Sequence, residues 1–288
     1  MRKGRLRFAA GFLAAPLLLY VVYVISPYAQ AFQISMTDWR GLNASPRFVG
    51  LDNFVRLAGD EVFWKALSHN AVLLLTLPVI TIALGLVFAY LLNQGGFRAA
   101  GFYKVVFFFP QVLSITVIAV MFQSVLRPDA SGVLNGALMA LGLDPVGFLT
   151  DPGLALWSIL GVLVWQATGF YVVLFSAGMA AIPRELHEAA QIDGASKAAS
   201  FRHVTLPLLR HTVQVGWVYL GVAAFDAFPI VFVLTAEHGG PDFSTTVLAN
   251  EVYRNAFQYA KFGYASAIGV ALFFCTMTFA ALTMRRSR

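Results

Sequence analysis

Glu188-Ala-Ala-Gln-Ile-Asp-Gly194-Ala, continued by Phe201, Val204 and Leu206-Pro207, is a polar passage with an internal design, set between two long hydrophobic runs. Pro183 can open a helix, because a proline in the first turn loses no intrahelical hydrogen bond. Leu186, Ala189 and Ala190 then recur at i, i+3 and i+4, the spacing of a short amphipathic helix. Gly194 suits a tight turn at which a side chain would obstruct the backbone. Residues 195–204 predict a second short helix, and Leu206-Pro207 starts the next apolar segment. A helix–turn–helix with small alanines on one side and Glu188 and Asp193 nearby is shaped to lie in the groove of another protein.

Outside this passage the chain is apolar. Of its 288 residues 59% are hydrophobic, 26 are Phe and only 12% are charged, where a soluble domain is roughly a quarter charged. Five uncharged stretches, residues 8–37, 66–97, 105–126, 152–183 and 262–284, reach the roughly 20 residues needed to cross a bilayer. A sixth, residues 211–236, holds one acid, Asp226. The expectation is an all-α polytopic membrane protein: one transmembrane domain over residues 1–288, with six helices at about 8–28, 66–92, 105–126, 154–180, 212–234 and 263–284. The loop at 183–210 joins the fourth and fifth.

Orientation follows from charge. Arg2, Lys3, Arg5 and Arg7 precede the first run, which continues into Ser26-Pro27-Tyr28 rather than a small-residue cleavage site, so it reads as an uncleaved helix and not a signal peptide. With both termini, the 93–104 connection and the 183–210 loop placed in the cytoplasm, thirteen of the twenty Lys and Arg lie inside, and ten of the fourteen acids fall in the opposite loops. That is the bias expected of inward-facing segments. The net charge of +6 is thus a topology signal and not a nucleic-acid footprint. Cys275 is the one cysteine, which excludes an internal disulfide and reads as a packed small apolar residue. No Gly-rich phosphate loop ending in Gly-Lys-Ser/Thr is present, so the chain does not itself hydrolyse ATP. The five histidines, His69, His187, His203, His211 and His238, lack metal-site spacing.

The spacing Glu188-Ala189-Ala190, Gly194, Val204 and Leu206-Pro207 resembles the cytoplasmic coupling loop of permease subunits of bacterial binding-protein-dependent ABC importers, with Val204 where that family more often has Ile. Several further passages look like its sugar-importing branch: Phe48 to Phe54, Gly132 to Asn135, Phe148 to Pro152, Gly239-Gly240-Pro241, and Phe262-Gly-Tyr-Ala-Ser-Ala267. Ala236-Glu237-His238, ahead of Gly239, is a longer lead-in than the family usually has. The resemblance implies a type I importer permease fold in the bacterial cytoplasmic membrane, contacting lipid and no nucleic acid. It also implies partners: a second, homologous permease subunit, two ATP-binding subunits carrying ATP and Mg, and an extracytoplasmic solute-binding protein that delivers a sugar. Glu188, Ala189, Ala190, Asp193, Gly194, Leu206 and Pro207 would then couple the permease to the ATPases.

The solute path is sought among polar groups beside aromatic rings, the pairing that suits carbohydrate hydroxyls and ring faces. A carboxylate in a membrane segment is costly and is usually turned to the bundle interior or a water-filled path, which selects Asp226 with its neighbour Phe225. Pro229 beside them predicts a helix distortion. The fourth helix offers Trp165, Gln166, Phe170 and Tyr171. Asn135 and Asn250, in external segments, either cap turns or meet the binding protein. No metal site is expected. Two rivals stay open: the same machine with a polyamine, phosphate or peptide cargo, and an ion-coupled secondary transporter. The latter more often carries acids deep in several helices.

Overall fold

The computed structural model of the chain describes residues 2–41, 46–93, 99–235 and 239–285, with side chains from residue 11 to residue 283. The described residues are helical almost throughout, and their only β pairing is an isolated antiparallel bridge between Thr37 and Phe48. In chain order the helices are α1 (Arg2–Tyr20), α2 (Ser26–Ser35), α3 (Asp52–Ala58), α4 (Glu61–Asn93), α5 (Ala100–Val112), α6 (Ile115–Val125), α7 (Val133–Ala140), α8 (Ala155–Ala180), α9 (Arg184–Ile192), α10 (Lys197–Ser200), α11 (Leu206–Leu208), α12 (Arg210–Phe225), α13 (Phe228–Leu234), α14 (Leu248–Tyr253) and α15 (Phe262–Arg285). π-helical turns at Val21–Ile25 and Phe201–Thr205 join α1 to α2 and α10 to α11. The basic side chains of residues 2–7, Arg98 and the Ala236-Glu237-His238 lead-in lie outside what is described.

Four continuous helical stretches, Gly11–Ser35, Glu61–Asn93, Ala155–Ala180 and Phe262–Thr283, are long and apolar enough to cross a membrane. Two bent pairs, α5 with α6 and α12 with α13, raise the number to six if each pair is one span. The third and fifth predicted helices are therefore broken. The α5–α6 bend of 99° falls at Leu113 and Ser114, both extended. Pro110, one turn earlier, removes an intrahelical donor and weakens that turn. The 46° bend between α12 and α13 falls at Asp226-Ala227. Its cause is Pro229, whose ring in a continuous helix would clash with the carbonyl four residues back, which belongs to Phe225, the last residue of α12.

The chain divides into two compact units, residues 1–63 with 251–274 and residues 64–250 with 275–288. In the first, the segment after α2 is pinned by Asn53, which donates to the carbonyls of Ser35 and Thr37 at 2.8 Å each. This gives the 48–54 passage a structural purpose. Gly263 allows α15 to start against the same backbone: a Cβ there would stand 2.0 Å from the Thr37 oxygen, and its N–H donates to the Trp39 carbonyl at 3.0 Å. Asp60 caps α4, taking the Val62 N–H at 2.9 Å on one oxygen and the Tyr264 hydroxyl at 2.5 Å on the other. The Arg56 guanidinium lies 4.7 Å from the centre of the Tyr264 ring.

The second unit is built around α8. Ile159, Tyr171 and Phe175 on that helix are fully or almost fully buried, with Leu73 and Leu77 of α4, Ile118 of α6 and Ile230 and Val231 of α13 in the same core. Helix α5 crosses α8 at Gly169, where a Cβ would fall 1.7 Å from the Phe107 carbonyl oxygen. Small residues at such crossings let membrane helices approach to backbone contact.

Candidate functional site

Helix α9 begins one residue later than the sequence suggests, with Pro183 as its extended N-cap. It ends in a Schellman motif: the Ala195 N–H reaches the Ala190 carbonyl at 2.8 Å and the Gly194 N–H reaches that of Gln191 at 3.0 Å. Two orphan carbonyls are thereby satisfied. Gly194 has φ +78° and nothing within 4 Å of where a Cβ would sit. The glycine is required by its left-handed conformation and not, as the sequence suggests, by a side chain obstructing the backbone. Ser196 then opens α10, its hydroxyl accepting the Ala199 N–H at 3.2 Å, a side-chain N-cap. The second helix runs on past Val204 and takes in Leu206 and Pro207, both exposed, before the chain turns at Leu209.

The two arms of the loop are tied to each other by His187 Nδ1 and Ser200 Oγ, 3.1 Å apart. Tyr90 at the end of α4 stacks obliquely on Phe201, with ring centroids 4.7 Å apart. With one face so anchored, α9 shows the opposite face to the outside. Arg184, His187 and Gln191, spaced i, i+3, i+7, line a partly open cavity, Arg184 and Gln191 remaining exposed, while Leu186, Ala189 and Asp193, at the same spacing one face round, are exposed and do not line it. Leu186 is 43% and Ile192 87% exposed; Glu188 and Gly194 are exposed as well, and Ala190 is half-buried. An amphipathic helix normally buries its apolar stripe. Here that stripe is uncovered, as on a surface awaiting a partner.

The residues selected for a solute path separate into two groups. Asp226 is exposed and sits in the break between α12 and α13. On α8, Trp165 (41% exposed) packs edge-on to Phe122, and Phe170 (37% exposed) is stacked on Tyr219 with centroids 6.5 Å apart and the rings inclined by 29°. Gln166 between them is partly exposed. Tyr171 and Phe225 belong to the packing. Tyr171 fills the slot between Gly85 and Gly216, either of which would place a Cβ 2.8 Å from it, and its hydroxyl donates to the Gly216 carbonyl at 3.3 Å. Phe225 is 7% exposed and packs against Phe279. Asn135 is a loop clamp: its amide donates to the carbonyls of Arg127 and Val146 and accepts the Val146 N–H at 2.7 Å.

A residue that sequence reasoning did not select is Asn70, fully buried on α4. Its amide nitrogen donates to the Ala224 carbonyl at 3.0 Å and its oxygen accepts the Leu248 N–H at 2.9 Å. The first partner is released by the α12 break and the second is an unpaired donor at the start of α14. Its neighbour His69 has Nδ1 2.8 Å from the Thr246 carbonyl oxygen. The polar triplet Ser68-His69-Asn70 near the start of a long apolar run was the available signal. No group of three or more His, Cys, Asp or Glu suited to a metal ion occurs among the described residues.

Residues 71–287 match the family model described as the binding-protein-dependent transport system inner membrane component. The chain is 39% identical to the diacetylchitobiose uptake system permease protein of Streptomyces coelicolor, over 99% of this chain and 83% of that protein. It is 35% identical to the multiple sugar-binding transport system permease protein of Streptococcus mutans, over 96% and 94% of the two. Among solved structures, a bacterial ABC transporter involved in import of the acidic polysaccharide alginate superposes with a TM-score of 0.86 at 22% identity, covering 100% of this chain and 99% of the other. The six apolar segments, the helix–turn–helix with its uncovered apolar face and these likenesses agree: the chain belongs to the family of inner-membrane permease components of binding-protein-dependent transport systems.

Proposed function

We propose that this chain is one of two permease subunits of an ATP-driven importer that carries a saccharide from an extracytoplasmic binding protein across the cytoplasmic membrane. Both termini and the 183–210 loop face the cytoplasm. The observation that carries this reading is the outward apolar face of α9, with Leu186 and Ile192 uncovered beside Glu188 and Gly194. This face docks in a groove of an ATP-binding subunit, in the manner of an amphipathic helix recognised by its spaced apolar anchors. Glu188, Ala189, Ala190, Asp193 and Gly194 form the contact, and Leu206-Pro207 passes its movement to α12. ATP and Mg are held by the partner subunits, whose closure favours one of two arrangements of the bundle. The cargo class rests on relatives named for diacetylchitobiose and multiple-sugar uptake. Membership of a binding-protein-dependent family speaks against the ion-coupled alternative.

Within the bundle, Asp226 and the exposed α8 side chains Trp165, Gln166 and Phe170 meet the solute. The carboxylate and amide bond hydroxyls and the aromatic faces cover the apolar side of a sugar ring. The test is to purify the tagged protein from its native cell, identify the co-purifying chains and assay ATP hydrolysis against a panel of oligosaccharides and polyols. An ATP-binding chain, a second permease and saccharide-stimulated hydrolysis are expected. A lone homo-oligomer without ATPase would refute the reading, as would normal uptake by Gly194→Glu.

A further inference from the structure

Between α9, α10 and the C-terminal ends of α4 and α8 lies a cavity of about 590 Å³, inside the roughly 300–1,000 Å³ range of small-molecule sites. Among the described residues, Arg184, His187 and Lys197 line it together with Tyr90, Asn93 and Ser200, and no Asp or Glu does. Glu185, Glu188 and Asp193 of the same loop are exposed and are not among the lining residues. Neither Arg184 nor Lys197 makes an ion pair among the described residues. A further cation stands next to the wall, since Lys104 Nζ donates to the Asn93 amide oxygen at 3.0 Å. The remaining lining mixes apolar Ile182, Met179 and Phe201 with polar Gln191 and Thr205; the cavity's charges are of one sign, and Arg184 and Lys197 are themselves exposed. A recess of this kind concentrates positive potential and attracts anions.

We propose that this cavity binds a phosphate-bearing anion. The donors stand on separate elements, Arg184 on α9, Lys197 on α10 and Asn93 on α4. A tetrahedral phosphate can present oxygens to several such directions, with the planar guanidinium able to hold two of them. The volume and the apolar part of the wall leave room for an organic body beyond the phosphate. A ligand seated there bridges both arms of the loop to the ends of α4 and α8 and so braces the segment that meets the ATPase. The cytoplasmic placement of the site and its bracing of an ATPase contact rest on the function proposed above, whereas the cavity and its charges do not. Two sources share the chemistry, the headgroup of an anionic inner-leaflet lipid and a soluble phosphate ester.

The assembled transporter is purified into phosphatidylcholine nanodiscs, and its chains are identified before any ligand is added. In one arm, inorganic phosphate and hexose 6-phosphate are titrated by equilibrium binding. In the other, nanodiscs containing phosphatidylglycerol are used and retained lipid is counted by native mass spectrometry. The double variant Arg184→Gln/Lys197→Gln is expected to weaken ester binding, or lipid retention, by at least about tenfold, and rising salt to weaken it in wild type. Arg184→Lys, which keeps the charge but loses the two-oxygen fork of the guanidinium, should fall between wild type and the double variant. Ester binding that the variant loses names a soluble ligand, and phosphatidylglycerol retention that it loses names a lipid. Wild type and double variant behaving alike in both arms would overturn the proposal. Failure of the importer reading would show separately, as missing ATPase chains in the starting sample.

Discussion

The side-chain amide of Asn70 donates to the main-chain carbonyl of Ala224 at 3.0 Å in the buried interior of the second unit. Its oxygen closes a second bond, from the N–H of Leu248, at 2.9 Å. Interrupted helices survive at membrane depth only where the freed backbone groups find partners. Asn70→Leu leaves both groups unpaired, each at about 1–3 kcal/mol. A clearly lower unfolding temperature of the detergent-solubilised protein is expected. Asn70→Asp, which keeps an acceptor for Leu248 but loses the donor to Ala224, should also melt early. An unchanged melting temperature in both would show that another group holds the break.

Two glycines on one helix should respond in opposite ways. Gly169→Ala forces a methyl into the Phe107 backbone of α5, where a Cβ has only 1.7 Å. The displaced party is main chain and cannot turn aside, so the loss should reach or exceed the top of the 1–3 kcal/mol range, roughly, seen for overpacking. At Gly161 a Cβ meets nothing within 4 Å. Gly161→Ala should therefore be neutral or stabilise the isolated subunit by about 0.5–1 kcal/mol through helix propensity. Thermal unfolding of the two variants side by side reads the contrast.

At Gly194 the requirement is conformational. Gly194→Ala must hold φ near +78°, at about 1–2 kcal/mol for a side-chain-bearing residue. Gly194→Asn, which tolerates the left-handed region better, should lose less. Amide exchange across residues 184–208 should quicken for Ala more than for Asn. Equal exchange in the two would mean that the turn is not limited by this φ.

Asp226 and Phe225 are adjacent in sequence and are expected to act differently. Asp226→Ala should change uptake or solute preference and leave unfolding unaffected, because the carboxylate is exposed in the helix break. Phe225→Ala should destabilise by about 3–5 kcal/mol, as for other buried Phe truncations. Measuring transport and melting temperature for both separates the roles, and unchanged uptake by Asp226→Ala would remove it from the solute path.

Tyr171→Phe deletes a hydroxyl that bonds the Gly216 carbonyl while preserving the ring that fills the Gly85–Gly216 slot. A loss of about 0.5–1.5 kcal/mol in stability with unchanged solute preference is expected. A shift in preference would return Tyr171 to the solute contacts.

The apolar runs, Pro183 and the Glu188-to-Pro207 spacing were enough, by themselves, to establish an all-α membrane chain and its helix–turn–helix, because those features depend on residue type and local periodicity. Pro229 also announced a distortion, since its effect on the carbonyl four residues back is local. Three-dimensional packing decided the rest. Trp165, Gln166, Phe170 and Tyr171 are equivalent as a list of polar and aromatic residues on one helix, and only the neighbouring Gly85 and Gly216 turn Tyr171 into core. Asn70 is an ordinary amide in the sequence and becomes a bridge because Ala224 and Leu248, 154 and 178 residues away, present a free acceptor and a free donor to it. The cationic cavity likewise needs Lys197 and Arg184 to be folded onto the ends of α4 and α8. Periodicity shows which face of a helix is apolar, but which partner meets that face is set by residues far away in the chain.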